Sequence, residues 1–270
     1  MTVKSRFSRP RLRMTRFSSG PSPWFLWLDV SMMLIWGTLF LKYWLSGEIL
    51  FLLHPNYVWL TIAAAFVLLG MAVFKVSQQL AQPASKFSSR RSQSVQHLSL
   101  LPKGWSNAIL ILVGLLGWFY APQPFTSDIA LQRGVTDTLM VTRLQPQSFR
   151  VSVNPEDKSI TDWVRTLNVY PEPDAYQGDP VDVSGFIIHP PDLPDNYVMI
   201  ARFILTCCAA DAYPVALPVR LQGDRSDYAA DGWFRVQGEM TTETLNGDRR
   251  LTIAATRLES IPQPRNPYDY

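Results

Sequence analysis

Polar and apolar positions divide the chain into two halves with different patterns. The first half contains three long apolar runs, at 24–45, 57–74 and 105–121. Only the first run contains charged residues, Asp29 and Lys42. A helix needs roughly 17–25 apolar residues to cross the hydrocarbon core of a bilayer, and all three runs reach that length. The pattern therefore predicts three transmembrane helices, which with the basic N-terminus form a membrane domain, residues 1–121.

The second half has shorter apolar runs, several of which alternate with polar residues. Alternation with a period of two residues is typical of half-buried β-strands. Five strands are predicted, at Val181–His189, Tyr197–Thr206, Val215–Leu221, Trp233–Met240 and Leu251–Ile261. Asn246-Gly247 supplies a turn between the last two. Five short strands, with one helical turn between the second and the third, predict a small β-rich domain at 179–270, with an OB-like barrel as one candidate.

Residues 122–178 are predicted to connect these two domains. Within this connector, Ser159 is expected to cap a short helix, Ile160–Val169, with Asp162 as the acidic member of a capping box. Prolines and a glycine then end the helical pattern before the first strand. The predicted fold class is therefore an α-helical membrane anchor of three helices followed by a small β-rich domain.

The charge distribution predicts how the chain is oriented. Residues 1–121 hold 12 basic and two acidic residues, whereas residues 122–270 hold 13 basic and 20 acidic residues. In the first half, the basic residues concentrate before the first apolar run and between the second and third runs. Loops rich in Lys and Arg stay in the cytoplasm. We therefore expect a multi-pass protein of the cell membrane, with a cytoplasmic N-terminus and an extracytoplasmic C-terminal domain.

Composition and motifs exclude several functional classes. A hydrophobic content of 47% excludes a disordered chain. The sequence contains no P-loop, no GxGxxG and no HExxH motif, and no Ser/His/Asp constellation, so we do not expect an enzyme. An acidic outer domain would repel a polyanion, which argues against binding of nucleic acid. The lipid bilayer is the partner that the residues themselves predict.

The two cysteines of the chain, Cys207 and Cys208, are adjacent. Consecutive Cα atoms lie about 3.8 Å apart, closer than the roughly 4.4–6.8 Å of an ordinary disulfide, so a bridge between them would be strained. If Cys207 begins a helical turn, Asp211 reaches the same region as both thiols. Two thiolates and a carboxylate suit a divalent ion such as Zn²⁺. His189, the one histidine of the β-rich domain, is the candidate fourth ligand.

Two other roles for this motif stay open at this point. Free cysteines often pack as small core residues, and Asp211 would then cap backbone N–H groups in a scaffold or docking module. Alternatively, an anchored thiol pair outside the cytoplasm would carry redox chemistry. That role requires a thiol pKa below the ordinary value of about 8.5.

Three segments of the second half resemble the YcgQ-like membrane proteins. They are Gly185-Phe186 with Arg202–Val215, which contains the double-Cys motif, then Gly232–Gly238 and Pro264–Tyr268. The resemblance covers mainly residues 159–270, and the hydrophobic first half agrees with it. That family is described as one subunit of a two-component permease, whose other subunit is a separate multi-span membrane protein. The resemblance therefore implies a non-enzymatic accessory subunit of a permease complex, with that multi-span protein as its partner.

Overall fold

The structure, a computed structural model, describes residues 23–81, 105–135 and 154–270. The contacts divide the chain into two units. The first unit comprises the described residues of Met1–Thr38 and Phe66–Trp118, and the second those of Leu39–Ala65 and Phe119–Tyr270. The basic N-terminal segment and most of the basic loop before the third apolar run lie outside the described residues, so the predicted orientation stays a prediction.

Three helices form where the three apolar runs were predicted to span the membrane. They are α1 (Pro23–Ser46), α2 (Pro55–Ala81) and α3 (Trp105–Phe119). By length and composition, α1 and α2 are candidate membrane spans, whereas α3, with 15 residues, is shorter. Large apolar side chains such as Phe66 and Phe74 are exposed along α2. Such a surface suits lipid rather than water, and the two long helices indicate association with a membrane.

Polar contacts join the three helices within the first unit. The Asp29 carboxylate on α1 accepts hydrogen bonds from Lys75 Nζ on α2, at 2.9 Å, and from Asn107 Nδ2 on α3, at 2.5 Å. Further along α1, the Trp36 indole N–H donates to the Leu110 carbonyl oxygen at 3.0 Å. The helix α3 therefore packs with both long helices, although it is too short to qualify as a span by itself.

The second unit is built on one mixed six-stranded sheet. Its strands are β1 (Pro180–Ile188), β2 (Tyr197–Ile204), β3 (Tyr213–Arg220), β4 (Trp233–Leu245), β5 (Asp248–Ser260) and β6 (Tyr268–Asp269). The strand order is β1-β4-β5-β3-β2-β6, with an additional pairing of β1 with β2. The β3–β5 and β2–β6 pairs are parallel, and the other pairs are antiparallel.

The five predicted strands are confirmed with adjusted bounds, and a sixth was missed. The hairpin of β4 and β5 turns at Asn246 and Gly247, whose φ angles are 54° and 89°, as the turn between the two strands requires. Both strands extend further towards this turn than predicted, because cross-strand pairs such as Glu243–Arg250 continue the ladder with polar residues. The two residues of β6 show no alternation, and only pairing with β2 makes them a strand.

Two short helices pack against this sheet. Helix α5 (Ile160–Val169) has the predicted bounds and lies over one apolar cluster of the sheet through Ile160 and Trp163. Helix α4 (Ser127–Gln132) contributes Ala130 to a second cluster, which also contains Phe203 and Leu205. The strand β2 supplies residues to both clusters, and the cysteine motif follows this strand directly.

The capping box of α5 forms as predicted and gives a test of the local structure. The Ser159 side chain accepts a hydrogen bond from the Asp162 N–H, and the Asp162 carboxylate accepts one from the Ser159 N–H. We expect Ser159→Ala to lower the free energy of unfolding of the sheet domain by about 1 kcal/mol, and Ser159→Asp to lower it less. Pulse proteolysis of the detergent-solubilised chain across a urea series would measure both. Equal losses in the two variants would contradict the capping role.

Candidate metal centre

The cysteine motif occupies the connection between β2 and β3. A single turn of 3₁₀-helix, Ala209–Asp211, reverses the chain there. Because of this turn, the Asp211 carboxylate points back at the backbone that precedes it. It accepts hydrogen bonds from the N–H groups of Thr206 at 3.4 Å, Cys207 at 2.8 Å and Cys208 at 3.2 Å. The turn is therefore fixed by its own aspartate.

This turn brings three potential metal ligands together. The Sγ atoms of Cys207 and Cys208 lie 3.6 Å apart, and these atoms and a carboxylate oxygen of Asp211 all lie within 4.8 Å of one another. Cys207 is exposed and Cys208 is half-buried. Two thiolates bound to one tetrahedral zinc ion, with Zn–S bonds of about 2.3 Å, lie about 3.8 Å apart. The observed spacing therefore needs little change to hold such an ion.

Hydrogen bonding inside this group changes the acidity of its members. The pKa of the Cys207 thiol is raised to about 11, first because the thiol donates to the Asp211 carboxylate and next because of its contact with Cys208. Burial alone would raise the pKa of Asp211, but the hydrogen bonds from the Cys207 thiol and from three backbone N–H groups outweigh it, so that this pKa is lowered. These two shifts favour a protonated Cys207 thiol beside a charged Asp211 carboxylate.

The structure places the fourth predicted ligand elsewhere. His189 follows β1 directly, and its Nε2 lies 2.7 Å from the Tyr228 carbonyl oxygen. Among the described residues, the candidate ligand group consists of Cys207, Cys208 and Asp211, and His189 is not part of it. The two thiols and the carboxylate that were predicted from their spacing in the sequence are therefore close in space. His189, which was chosen because it is the one histidine of the β-rich domain, lies apart from them.

A second histidine, His54, lies near the motif. Its position between the first two apolar runs of the sequence would place it in the membrane half, away from this domain. In the structure, its backbone N–H donates to the Cys207 carbonyl oxygen at 3.1 Å. No local pattern signals this contact, since more than 150 residues separate the two partners, and only the packing of the loop between α1 and α2 produces it.

A comparison with known families covers this part of the chain. Residues 138–270 match the family model of the DUF1980 C-terminal domain. The DUF1980 match contains α5, all six strands and the cysteine motif, so the sheet and the candidate metal centre lie within one family unit. No curated protein and no solved structure matches the chain.

The raised pKa of Cys207 gives a prediction about thiol reactivity. A thiol with a pKa of about 11 is almost fully protonated at pH 8, although its rarer thiolate is the stronger nucleophile. We expect iodoacetamide to label Cys207 roughly 20-fold more slowly than an ordinary cysteine. Asp211→Asn removes the acceptor charge and should raise the labelling rate about tenfold.

Labelling followed by mass spectrometry of the full chain in detergent, with Cys208→Ser as the background, measures this rate. Asp231→Asn serves as the matched control, because Asp231 also caps backbone, accepting from the Ser127 N–H, but has no part in the thiol group. A rate that does not respond to Asp211→Asn would show that the carboxylate does not hold the thiol proton.

Proposed function

We propose that the chain is a non-enzymatic, membrane-anchored accessory subunit of a permease complex, and that its outer domain binds a divalent metal ion such as Zn²⁺. The observation that carries the metal site is the 3.6 Å spacing of two free thiols, one of them exposed, beside a carboxylate. Cys207 and Cys208 are the ligands, and Asp211 is the third. His189 is left to the Tyr228 carbonyl.

The donor set indicates an exchangeable site rather than a closed structural one. Structural zinc sites have four protein ligands, whereas sites with three protein ligands keep a position open for water or a solute. Both oxygens of Asp211 already accept backbone hydrogen bonds, so this carboxylate has little capacity beyond one metal bond. An exposed site with an open position suits a subunit that takes up a metal ion or solute and passes it on.

The membrane topology that we propose has three spans, with α3 as the third. The loop between α1 and α2 touches the C-terminal domain through the Ala209 N–H, which donates to the Leu52 carbonyl oxygen at 2.9 Å. If α1 and α2 both span, α2 ends on the side opposite this loop. The chain must then cross once more to reach the domain that the loop touches, and α3 is the helix available for that crossing. The positive-inside rule puts the domain outside the cytoplasm.

The sheet pairings support an OB-like barrel as the architecture of the outer domain. Because β1 pairs with both β4 and β2, the order β1-β4-β5-β3-β2 returns to its starting strand. Each of these five strands therefore has a partner on both sides, which is how a closed sheet removes its edges. The β3–β5 pair has the shortest ladder of the five. It consists of two residue pairs, Val219–Ile253 and Arg220–Ala254.

The permease partner is the part of the proposal that depends on resemblance. The likeness to the YcgQ-like proteins implies a multi-span partner, and the exposed apolar surface of α2 is compatible with contact to lipid or to another membrane protein. Three helices are too few to form a pore in one copy of the chain, so transport needs either the partner or several copies of this chain. In the arrangement that we propose, the partner forms the pathway and this chain supplies the outer binding domain.

Two observations bear on the other roles for the cysteines. The hydrogen bonds from the Cys207 and Cys208 N–H groups to Asp211 would also be present in a purely structural motif. They therefore favour a docking module as the second candidate function. Thiol redox chemistry is disfavoured, because it needs a lowered thiol pKa and the pKa of Cys207 is raised. An exposed thiol, on the other hand, is unlike a cysteine retained for packing alone.

Metal binding by the full chain in detergent tests the proposal. The protein, stripped with chelator and reloaded with Zn²⁺, should retain about one ion per chain by elemental mass spectrometry. Cys207→Ser/Cys208→Ser should abolish this, and His189→Asn should leave it unchanged. Retention of zinc by the double variant would refute the ligand assignment, and no retention by the unmodified chain would favour the docking module.

A further inference from the structure

The loop that joins α1 to α2 pairs with the backbone of the cysteine motif. Leu53 and Cys208 form an isolated antiparallel bridge. The two hydrogen bonds of this bridge run from the Ala209 N–H to the Leu52 carbonyl oxygen, at 2.9 Å, and from the His54 N–H to the Cys207 carbonyl oxygen, at 3.1 Å. Both backbone segments lie in the second unit. The loop and the motif are therefore joined by one bridge of backbone pairing.

Side chains hold the loop in this position. Ile49 is buried, and Phe51 packs against the apolar cluster that contains Leu205, two residues before the motif. The His54 ring lies edge-on to the Tyr270 ring, with 4.4 Å between their centroids. Its Nδ1 also accepts the Asn56 N–H at 3.0 Å, in the first turn of α2. The contact thus connects the motif directly to the start of a candidate membrane helix.

We propose that the loop Gly47–His54 is a structural part of the metal centre, so that metal binding at the cysteines and the position of this loop are coupled. The spacing of adjacent thiols depends on the backbone between them, which is extended at Cys208 with φ −154° and ψ 171°. Asp211 holds the N–H groups of this extended part from one side. The loop adds a second restraint by pairing with the residues on both sides of Cys208. This inference rests on the proposed function for the metal ion, and the pairing itself does not.

The coupling works in both directions. If the paired loop favours the thiol spacing that a metal ion needs, a bound ion must favour the paired loop by the same free energy. Occupation of the outer site would then stabilise the contact at the end of α1 and the start of α2. A partner protein that binds these helices would therefore respond to whether a metal ion occupies the site.

A proline at position 209 removes one hydrogen bond of the bridge with little other change. Ala209 is the first residue of the 3₁₀ turn, where proline is well tolerated, and the preceding Cys208 is extended, as a residue before proline should be. Ala209→Pro deletes the N–H that donates to Leu52. Ala209→Ser keeps that N–H and is the matched control. A second variant, Phe51→Ala, loosens the loop from outside the motif, with Phe51→Leu as its control.

The full chain in detergent is titrated with Co²⁺, whose thiolate charge-transfer absorption reports binding by cysteine. We expect Ala209→Pro to weaken Co²⁺ binding about fivefold, the change that loss of one such hydrogen bond produces, and Ala209→Ser to leave it unchanged. Phe51→Ala should act in the same direction. In the unmodified chain, Zn²⁺ should slow hydrogen exchange in a peptide that covers residues 47–56.

The outcomes separate this inference from the proposed function. The coupling is refuted if Ala209→Pro and Phe51→Ala both bind Co²⁺ with unchanged affinity. If Cys208→Ser also loses the absorption, the assignment of the metal site is still supported. If the unmodified chain gives no thiolate absorption with Co²⁺, both the metal site and its coupling to the loop are refuted. In that case faster exchange of the 47–56 peptide in Ala209→Pro would still establish the pairing of loop and motif.

Discussion

Trp163→Ala should lower the free energy of unfolding of the sheet domain by about 4 kcal/mol. The Trp163 side chain on α5 is fully buried in the apolar cluster between the helix and the sheet. Its ring meets Tyr176 edge-on with 6.0 Å between centroids, and the Lys158 ammonium lies 4.1 Å from the ring centroid. Truncation to alanine leaves a cavity of indole size and deletes all of these contacts. Pulse proteolysis across a urea series measures the loss.

Trp163→Phe is the control that separates packing from the polar indole nitrogen. Within the part of the chain that the structure describes, the buried Nε1 of Trp163 has no hydrogen-bond partner. Replacing indole by phenyl removes this unsatisfied donor while it keeps most of the apolar volume, so we expect a loss of only about 1–2 kcal/mol. A loss for Trp163→Phe as large as that for Trp163→Ala would contradict the expectation that most of the stabilisation comes from filling this apolar volume.

Arg202→Met should destabilise the same domain by about 3 kcal/mol, because it breaks a largely buried polar network. Arg202 Nη1 lies 3.0 Å from Asp269 Oδ1, with 16% and 18% of the two side chains exposed. Its Nε and Nη2 donate to the Ser184 carbonyl and hydroxyl oxygens at 2.8 and 2.9 Å. Thr161 donates to the other oxygen of Asp269 at 2.7 Å. The variant leaves the Asp269 carboxylate with its charge uncompensated in a poorly solvated place.

Two further variants make this prediction specific. Arg202→Met/Asp269→Asn should lose less stability than the sum of its single changes, because no charge is then stranded. Arg235→Met removes an arginine of the same sheet that pairs with Asp182, but 53% of the Arg235 side chain is exposed. An exposed pair contributes about 1 kcal/mol or less. Equal losses for Arg202→Met and Arg235→Met would show that burial of the network is unimportant.

The Arg202 network also explains why β6 escaped prediction. Tyr268 and Asp269 pair with Phe203 and Ile204 of β2, and Asp269 is held by Arg202. A strand of two residues has no periodicity of its own. Its ladder exists because an arginine about 67 residues earlier in the chain binds its aspartate, and such a pairing depends on the folded domain rather than on local preference.

In the candidate metal centre too, the local contacts were predicted from the sequence and the long-range contacts were not. Cys207, Cys208 and Asp211 come together as their spacing along the chain predicted. The local cause differs, because Cys208 is extended and the turn lies at Ala209–Asp211 instead of beginning at Cys207. His189 was chosen because it is the one histidine of the β-rich domain, and in the structure its ring contacts the Tyr228 carbonyl instead. The contact with Leu52 and His54 joins segments far apart in sequence and was missed altogether.

The sequence by itself determined the elements whose physical causes are local. These are the long apolar helices, the capped helix α5, the alternating strands, the Asn246-Gly247 turn and the close thiol pair. Only the tertiary structure decided which distant segments meet: the return of the sheet to β1, the pairing of β6, and the loop against the cysteine motif. Local elements depend on side-chain periodicity and backbone preference over a few residues. Long-range pairs form when the free energy of packing exceeds the entropy cost of closing a long loop, and that balance cannot be read from either segment alone.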